Sequence, residues 1–278
     1  MIEERFRPKN VIPYMLLLLL TAPLLVGYSW LLIATFSRRT YGLMPEELTL
    51  VNWQFLWNFD NWRDSVWGVT LNTLLLAVGL AIVVVVLSSL AGYALSRLDF
   101  AGRRPFMSLT LILHAFPSVT LLIAIYFVLR TLGLYNTLRG IILVKVALEL
   151  PLGIWLMKGF FDNVPWDIER AAMVDGASRF RIWWQIVMPL IRPGIAALAI
   201  FSFISGWNEF LIPYTFTLNQ QQATLAVYLN RIVGDTRLVD YGVVAALGLF
   251  QLLPVLVFFL FTQRYLLSIY AGGVKGGS

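Results

Sequence analysis

The sequence has no cysteine, one histidine, and charged side chains at only 13% of its 278 positions. Without cysteine there is no disulfide scaffold and no thiolate metal site. With 59% hydrophobic residues beside so few charges, a soluble domain is excluded, because a fold of this size needs more polar surface than these residues supply. Catalytic signatures are missing as well. No G-x-x-x-x-G-K-[S/T] loop occurs, and the glycines and lysine near the C terminus lack its spacing, so the chain carries no equipment for hydrolysing ATP. Neither His-Glu-x-x-His nor Gly-x-Ser-x-Gly is found, and no set of paired carboxylates lies within the apolar runs, which leaves a membrane enzyme without machinery. A self-contained secondary carrier generally shows an internal repeat about a central ion site. None is evident.

What is present is a series of apolar runs, each long enough to cross a bilayer at about 20 residues per helix. They predict six spans, at roughly 11–36, 68–95, 106–130, 138–160, 191–217 and 241–267. All must be helical, since an isolated strand cannot satisfy its backbone in lipid. The expected architecture is an all-α, polytopic membrane protein. Residues 1–67 supply an N-terminal tail, the first span and an outer segment; residues 68–278 form a core domain with a polar loop at 161–190 and a C-terminal tail. The first span follows Arg5, Arg7 and Lys9 as a signal peptide would. It runs on through Trp30 to Phe36 without a small-residue cleavage pattern, and reads as a retained anchor.

Lys and Arg set the orientation. With the N terminus inside, Arg5, Arg7, Lys9, Arg97, Arg103, Arg104, Lys158, Arg170, Arg179, Arg181, Arg192, Arg264 and Lys275 are cytoplasmic. Arg38, Arg39, Arg63, Arg130, Arg139, Arg231 and Arg237 form a smaller outer set. Both termini and the 161–190 loop are then cytoplasmic. The net charge of +6 is explained by topology, and a nucleic-acid partner is unnecessary.

Several polar residues interrupt the spans and their outer connections. Trp53, Trp57, Trp62 and Trp67 read as anchors at the lipid headgroups. Asp60 and Asp64 have the spacing of a metal pair but lack a second acidic cluster, and read as a solvated loop. Asn72 and Thr73 lie near the outer end of the second span, while Ser88, Ser89, Gly92 and Ala94 offer a small-residue surface for another helix. His114 stands before Pro117 in the third span. Lys145 and Glu149, one turn apart in the fourth, either pair with each other toward the bundle or line a path through it. Asn208 and Glu209 in the fifth meet a substrate, a partner, or another helix.

The longest polar interruption of the later runs is 161–193. Pro165 opens a short helix with Asp167 and Glu169 in its first turn, where free N–H groups favour negative charge. Gly176 closes it in a left-handed conformation, with Asp175 as turn partner. Ile168, Ala171, Ala172 and Asp175 form a stripe of little bulk on which another backbone can dock, and added volume at Ala172 is expected to block that contact. A second helix places Phe180, Trp183, Trp184 and Val187 on one face.

Glu169, Arg170, Ala171, Ala172, Asp175, Gly176, Ala177 and Ser178, followed by Ile186 and Pro189, resemble the E-A-A…G…I-x-L-P loop of binding-protein-dependent ATP-binding-cassette import permeases. Arg170 stands where that family has a glutamate before the alanine pair, and Met188 where it has leucine. The resemblance spans about residues 68 to 276 and implies a type I importer permease fold, whose loop contains a coupling helix seated in a cleft of the ATPase subunit. The Trp207-Asn208-Glu209-Phe210 run, Asn72, and the ending Gly273-Val274-Lys275-Gly276 resemble the sugar and polyol branch, in which such a tail lies against the ATPase dimer.

The implied partners are a second permease subunit, an ATPase dimer, an extracytoplasmic sugar-binding protein and membrane lipid. The chain itself is expected to bind no cofactor; ATP and Mg²⁺ belong to the ATPase. In maltose-type relatives the loop corresponding to Asn219–Asp240, with Gln220, Gln221 and Gln222, probes the binding protein. Against this inner-membrane permease stands a secondary transporter using Lys145, Glu149 and His114.

Overall fold

The computed structural model describes residues 11–57, 65–234 and 240–273, and of Val11, Gln220 and 261–273 the backbone alone. Outside these lie Arg5, Arg7, Lys9, Asp60, Trp62, Arg63, Asp64, Arg237, Val274, Lys275 and Gly276. Among the described residues the helices are α1 (Val11–Thr35), α2 (Val66–Arg97), α3 (Arg103–Ala115), α4 (Leu122–Thr131), α5 (Leu138–Asp162), α6 (Trp166–Val174), α7 (Arg179–Arg181), α8 (Met188–Leu190), α9 (Arg192–Trp207), α10 (Leu211–Phe216), α11 (Leu225–Gly234) and α12 (Tyr241–Gly273). One short hairpin pairs β1 (Thr40–Tyr41) with β2 (Met44–Pro45), antiparallel.

By compactness the chain divides into Met1–Asn61 with Leu229–Pro254, and Trp62–Tyr228 with Val255–Ser278. The sequence places a division at residue 67 and leaves the start of the last span with the core. Leu229–Pro254 instead joins the N-terminal segment. The Asn52 amide gives the reason: it donates to the carbonyls of Ala34, Thr35 and Ser37, closing the end of α1. The same side chain fills the space where Gly242 lacks a Cβ, its atoms 2.5–2.7 Å from that position. Phe55 meets Phe250 edge-on at 6.1 Å. Of the expected headgroup anchors, Trp57 is exposed, but Trp53 is buried and stacks on Phe36 at 5.7 Å. Trp53 belongs to this unit's core. The leucines of α1 stand mostly exposed, as a lipid-facing span requires.

The second unit is built on α2, which packs against α5 and α9. Small residues allow the approach. A Cβ on Gly92 would lie 2.9 Å from Met157 Cβ and from the Lys158 backbone nitrogen; one on Gly206 would lie 2.8 Å from Ala77 Cα. Gly153 faces Ser88 and Val84 in the same way. The small-residue surface expected on the second span is therefore a contact within the chain, in keeping with how membrane helices associate.

α2, α5 and α12 are each long and apolar enough to cross a membrane, as is α1. The third and fifth spans are not the continuous helices expected. Arg103–Ala115 and Ser118–Thr131 meet at 96°. The cause is Pro117, which donates no hydrogen bond and holds Phe116 extended at φ −75°, ψ 126°. The fifth span is interrupted at Asn208–Phe210, between α9 and α10, and its entry bends by 80° between Leu190 and Arg192. By contrast Pro254 sits inside α12 without dividing it, and the helix runs to Gly273, past the expected end near 267.

Residues expected on the outer side meet one another, and so do the inner ones. Asn72 Nδ2 donates to the carbonyls of Gln221 and Ala223, and Leu225 N–H donates to Thr73 Oγ1. Asn136, at φ +58°, accepts from Leu218 N–H at 2.8 Å, the left-handed geometry asparagine tolerates. At the other end of α2, Arg97 meets the 161–178 segment. Replacing Gly92 by alanine forces its methyl into the α5 backbone and should cost about 1–3 kcal/mol. Thermal unfolding of the purified protein in detergent checks this; an unchanged midpoint would show that α2 and α5 pack less closely.

Candidate functional site

The 161–190 loop folds largely as its residues dictate. Pro165 caps α6 from the extended region at φ −59°, ψ 132°, and Asp167 and Glu169 occupy the first turn. Gly176 ends the helix at φ +83°, the left-handed state a residue with a Cβ resists. Asp175 N–H donates to Ala171 O and Ala177 N–H to Ala172 O, so the last carbonyls are satisfied. Ser178 then caps the following helix, its hydroxyl accepting from Arg181 N–H.

The expected stripe divides between two faces. Ala172 is buried among Phe161, Ile182, Trp183 and Val187, with Ala177 and Ile186 packed against that cluster. Ile168, Ala171 and Asp175 are exposed, and so are Trp166, Met173 and Val174, the last at 87%. The solvent face of α6 is therefore that of Ile168, Ala171 and Val174. Bulk at Ala172 would disturb the loop's own core. Arg170, where a glutamate was expected, points outward and lies 3.7 Å from Asp167.

The second helix also departs from the expected single face. Between α7 and α8 the chain winds as a π-helix over Ile182–Val187, so α-helical spacing misplaces the side chains. Ile182, Trp183 and Val187 are buried, whereas Phe180 and Trp184 are exposed. Met188 accepts a hydrogen bond from Ser89 Oγ at 3.1 Å, tying this helix to α2. Pro189 lies inside α8.

Glu169 turns inward. Its side chain is 3% exposed and that of Arg97 2%. Arg97 Nε donates to Glu169 Oε1 at 2.5 Å and Tyr93 donates its hydroxyl to Oε2 at 2.9 Å. Arg97 Nη2 donates to Val164 O at 2.7 Å, and the guanidinium lies 4.7 Å from the Trp166 ring centre. A second tie runs from Ser96 to Asp162, itself paired with Lys158 at 2.5 Å. Neither Arg97 nor Tyr93 stands out in the sequence, where Arg97 reads only as one inside charge among many.

The second constellation lies among the apolar spans. Lys145 Nζ is 2.7 Å from Glu209 Oε2 and 3.2 Å from Glu149 Oε1. Ser205 donates to Glu149, and Glu209 Oε1 accepts from Ile212 N–H at 3.1 Å, capping α10 after the break. Lys145 and Glu149 pair, as one of their two readings has it, and together with His114, Ser118, Ser205 and Glu209 they line a cavity of about 540 Å³. Ser205 was not foreseen; it is one of several small residues in its run.

Asn72 and Asn208 stand elsewhere. Asn72 holds the outer loop, as above, and Asn208 donates to Ile204 O one turn back. Gln222 is structural too, since its Oε1 accepts from Leu138 N–H at the start of α5. Deleting Gln220–Gln222 would remove that cap along with the Gln221 carbonyl bound by Asn72.

Lys145→Met would leave two carboxylates facing one cavity without a cation. A loss of about 3 kcal/mol or more is expected. Glu209→Gln keeps an acceptor for Ile212 N–H and leaves Lys145 beside Glu149, so a loss nearer 1 kcal/mol is expected. Thermal unfolding of the two variants should rank them in that order, and the reverse ranking would contradict the arrangement.

The sequence matches, over residues 84–266, the family described as binding-protein-dependent transport system inner membrane component. It is 33% identical over 276 residues to the diacetylchitobiose uptake system permease protein of Streptomyces coelicolor, covering 96% of this chain and 88% of that one. It is 30% identical over 256 residues to the trehalose transport system permease protein of Mycobacterium tuberculosis, covering 91% and 92%. The fold is similar, at a TM-score of 0.80 and 21% identity, to a chain of a bacterial ABC transporter involved in the import of the acidic polysaccharide alginate, covering 94% of this chain and 98% of that one. With the broken and unbroken apolar helices, the small-residue contacts of α2 and the capped 161–190 loop in place, the chain belongs to the binding-protein-dependent transport system inner membrane components, as a multi-pass protein of the inner membrane.

Proposed function

We propose that the chain is one permease subunit of an ATP-driven carbohydrate importer, forming part of the path for an oligosaccharide, disaccharide or polyol. One observation carries the reading. α6 presents Ile168, Ala171 and Val174 to solvent on its outer face while Glu169 and Ala172 fix its inner face to the rest of the fold. An apolar face of that kind, on a short helix held from behind, suits a second protein rather than lipid or water. The relatives support the cargo class: besides the chitobiose and trehalose permeases, a maltodextrin transport system permease protein of Bacillus subtilis is 32% identical over 206 residues.

The partners follow from the same reading. A second permease completes the path, an ATPase dimer receives α6 and consumes ATP and Mg²⁺, and an extracytoplasmic binding protein delivers the sugar. One solved structure of similar fold is a bacterial alginate ABC transporter in complex with alginate pentasaccharide-bound periplasmic protein. This chain makes and breaks no covalent bonds. The cavity beside Lys145, Glu149 and Glu209 is its share of the path, and displacement of the α6 loop changes which side that cavity faces.

The test is made at Ala171, which is exposed. Ala171→Trp should leave the permease folded and reduce ATPase subunit co-purification about tenfold, since added bulk costs a close contact about 1–3 kcal/mol. Sugar uptake should fall with it. Retained co-purification together with normal ATP-dependent uptake would overturn the docking assignment, and ion-gradient-driven uptake by the chain alone would favour a secondary transporter.

A further inference from the structure

The loop is joined to α2 by a buried ion pair, and α2 lies against both helices that build the intramembrane charge cluster. Glu169 of α6 and Arg97 of α2 are side chains of 3% and 2% exposure, joined at 2.5 Å. Arg97 also donates to Val164 O, and Tyr93, one turn back on α2, donates to the second oxygen of Glu169. Two helices are thus joined by a planar guanidinium whose donors are shared between α6 and the turn before it. Such a fork fixes direction as well as distance, which a single ammonium does not.

From Arg97 the contact continues along α2. Gly92 admits Met157 and Lys158 of α5, Ser88 and Val84 face Gly153 of α5, and Ala77 receives Gly206 of α9. Lys145 and Glu149 stand on α5, and Ser205, which donates to Glu149, is the residue before Gly206. Close-packed contacts of this kind shift as units rather than deform.

We propose that Arg97 is a positioning residue for transport: through Glu169 it makes α2 the rod that carries displacement of α6 to the Lys145–Glu149–Ser205–Glu209 cluster. This rests on the reading of α6 as the ATPase-docking helix. The helix of Trp183 and Trp184 reaches α2 as well, through the Met188–Ser89 hydrogen bond and the apolar cluster that Trp183 and Val187 share with Leu80 and Val84; the Arg97 fork is the charged tie. In this route Glu169 does not bind the ATPase. It holds the docking helix to the membrane domain from within.

The test uses the whole importer, with its partner permease and ATPase, reconstituted in proteoliposomes and assayed with radiolabelled trehalose, maltotriose and diacetylchitobiose. In Arg97→Gln and Glu169→Gln the ATPase should still co-purify and hydrolyse ATP, while sugar moved per ATP falls about tenfold. Arg97→Lys, which keeps the charge without the fork, should recover part of that ratio. Because the chain has no cysteine, Arg97→Cys with Glu169→Cys can be bridged by a short bifunctional thiol reagent, once partner cysteines are replaced. Bridging should restore the ratio, and the unbridged pair should lack it. Wild-type ratios in both glutamine variants would overturn the proposal, as would a bridged protein that assembles yet stays uncoupled. Should the glutamine variants fail to assemble, the bridged and unbridged forms decide alone. Failure of the unaltered chain to capture an ATPase would instead strike the docking reading and leave the rod without a drive.

Discussion

A carboxylate buried to a few per cent exposure must be paired, or it takes up a proton or opens the fold. Glu169 is such a group, and Arg97 answers it with a hydrogen bond of 2.5 Å. The rest of the loop's architecture depends on that pairing. It orients α6 so that Ala172 faces the core and Ala171 faces out, and it fixes the end of α2 against the segment that follows α5. Removing either partner strands the other, which is why such a pair, whatever its net contribution to stability, strongly constrains the arrangement of the helices.

A second cluster repeats this logic among the apolar spans with one cation between two carboxylates. Lys145 reaches across from α5 to Glu209 in the interruption of the fifth span, while Glu149 is held by Lys145 and Ser205. Ionisable groups in such spans are expensive unless they face protein or water. Here they face each other and a cavity. The two clusters are linked through the packing of α2 on α5 and α9, where glycines at 92, 153 and 206 leave room for the neighbouring helix.

Much of this was legible in the sequence, for identifiable reasons. Apolar runs of sufficient length announce spans regardless of context, and Pro165, Asp175 and Gly176 announce the ends of α6 because capping is local chemistry. The E-A-A-like loop was legible through its resemblance to the permease family, since its small-residue stripe by itself does not tell a docking helix from an ordinary surface helix. What escaped was long-range or depended on phase. Arg97 and Glu169 are 72 residues apart, and nothing in their local spacing relates them. Trp183 and Trp184 were assigned to one face because α-helical periodicity was assumed across a segment that winds as a π-helix. Pro117 was noticed without its consequence, whereas Pro254 bends nothing enough to divide α12. A proline permits a break, and tertiary packing decides whether it happens.

The interruptions at Pro117 and at Asn208–Phe210 carry a further meaning. Each leaves peptide groups outside a regular helical ladder at a depth where hydrocarbon has no hydrogen bonds to offer. Non-helical backbone is tolerated there only beside protein or water. Both breaks border one cavity: Phe116 and Ser118 line it from the third span, Glu209 and Ile212 from the fifth. Hydrocarbon is the wrong solvent for such backbone, and the chain puts its irregular stretches where it leaves a hollow rather than where lipid would press.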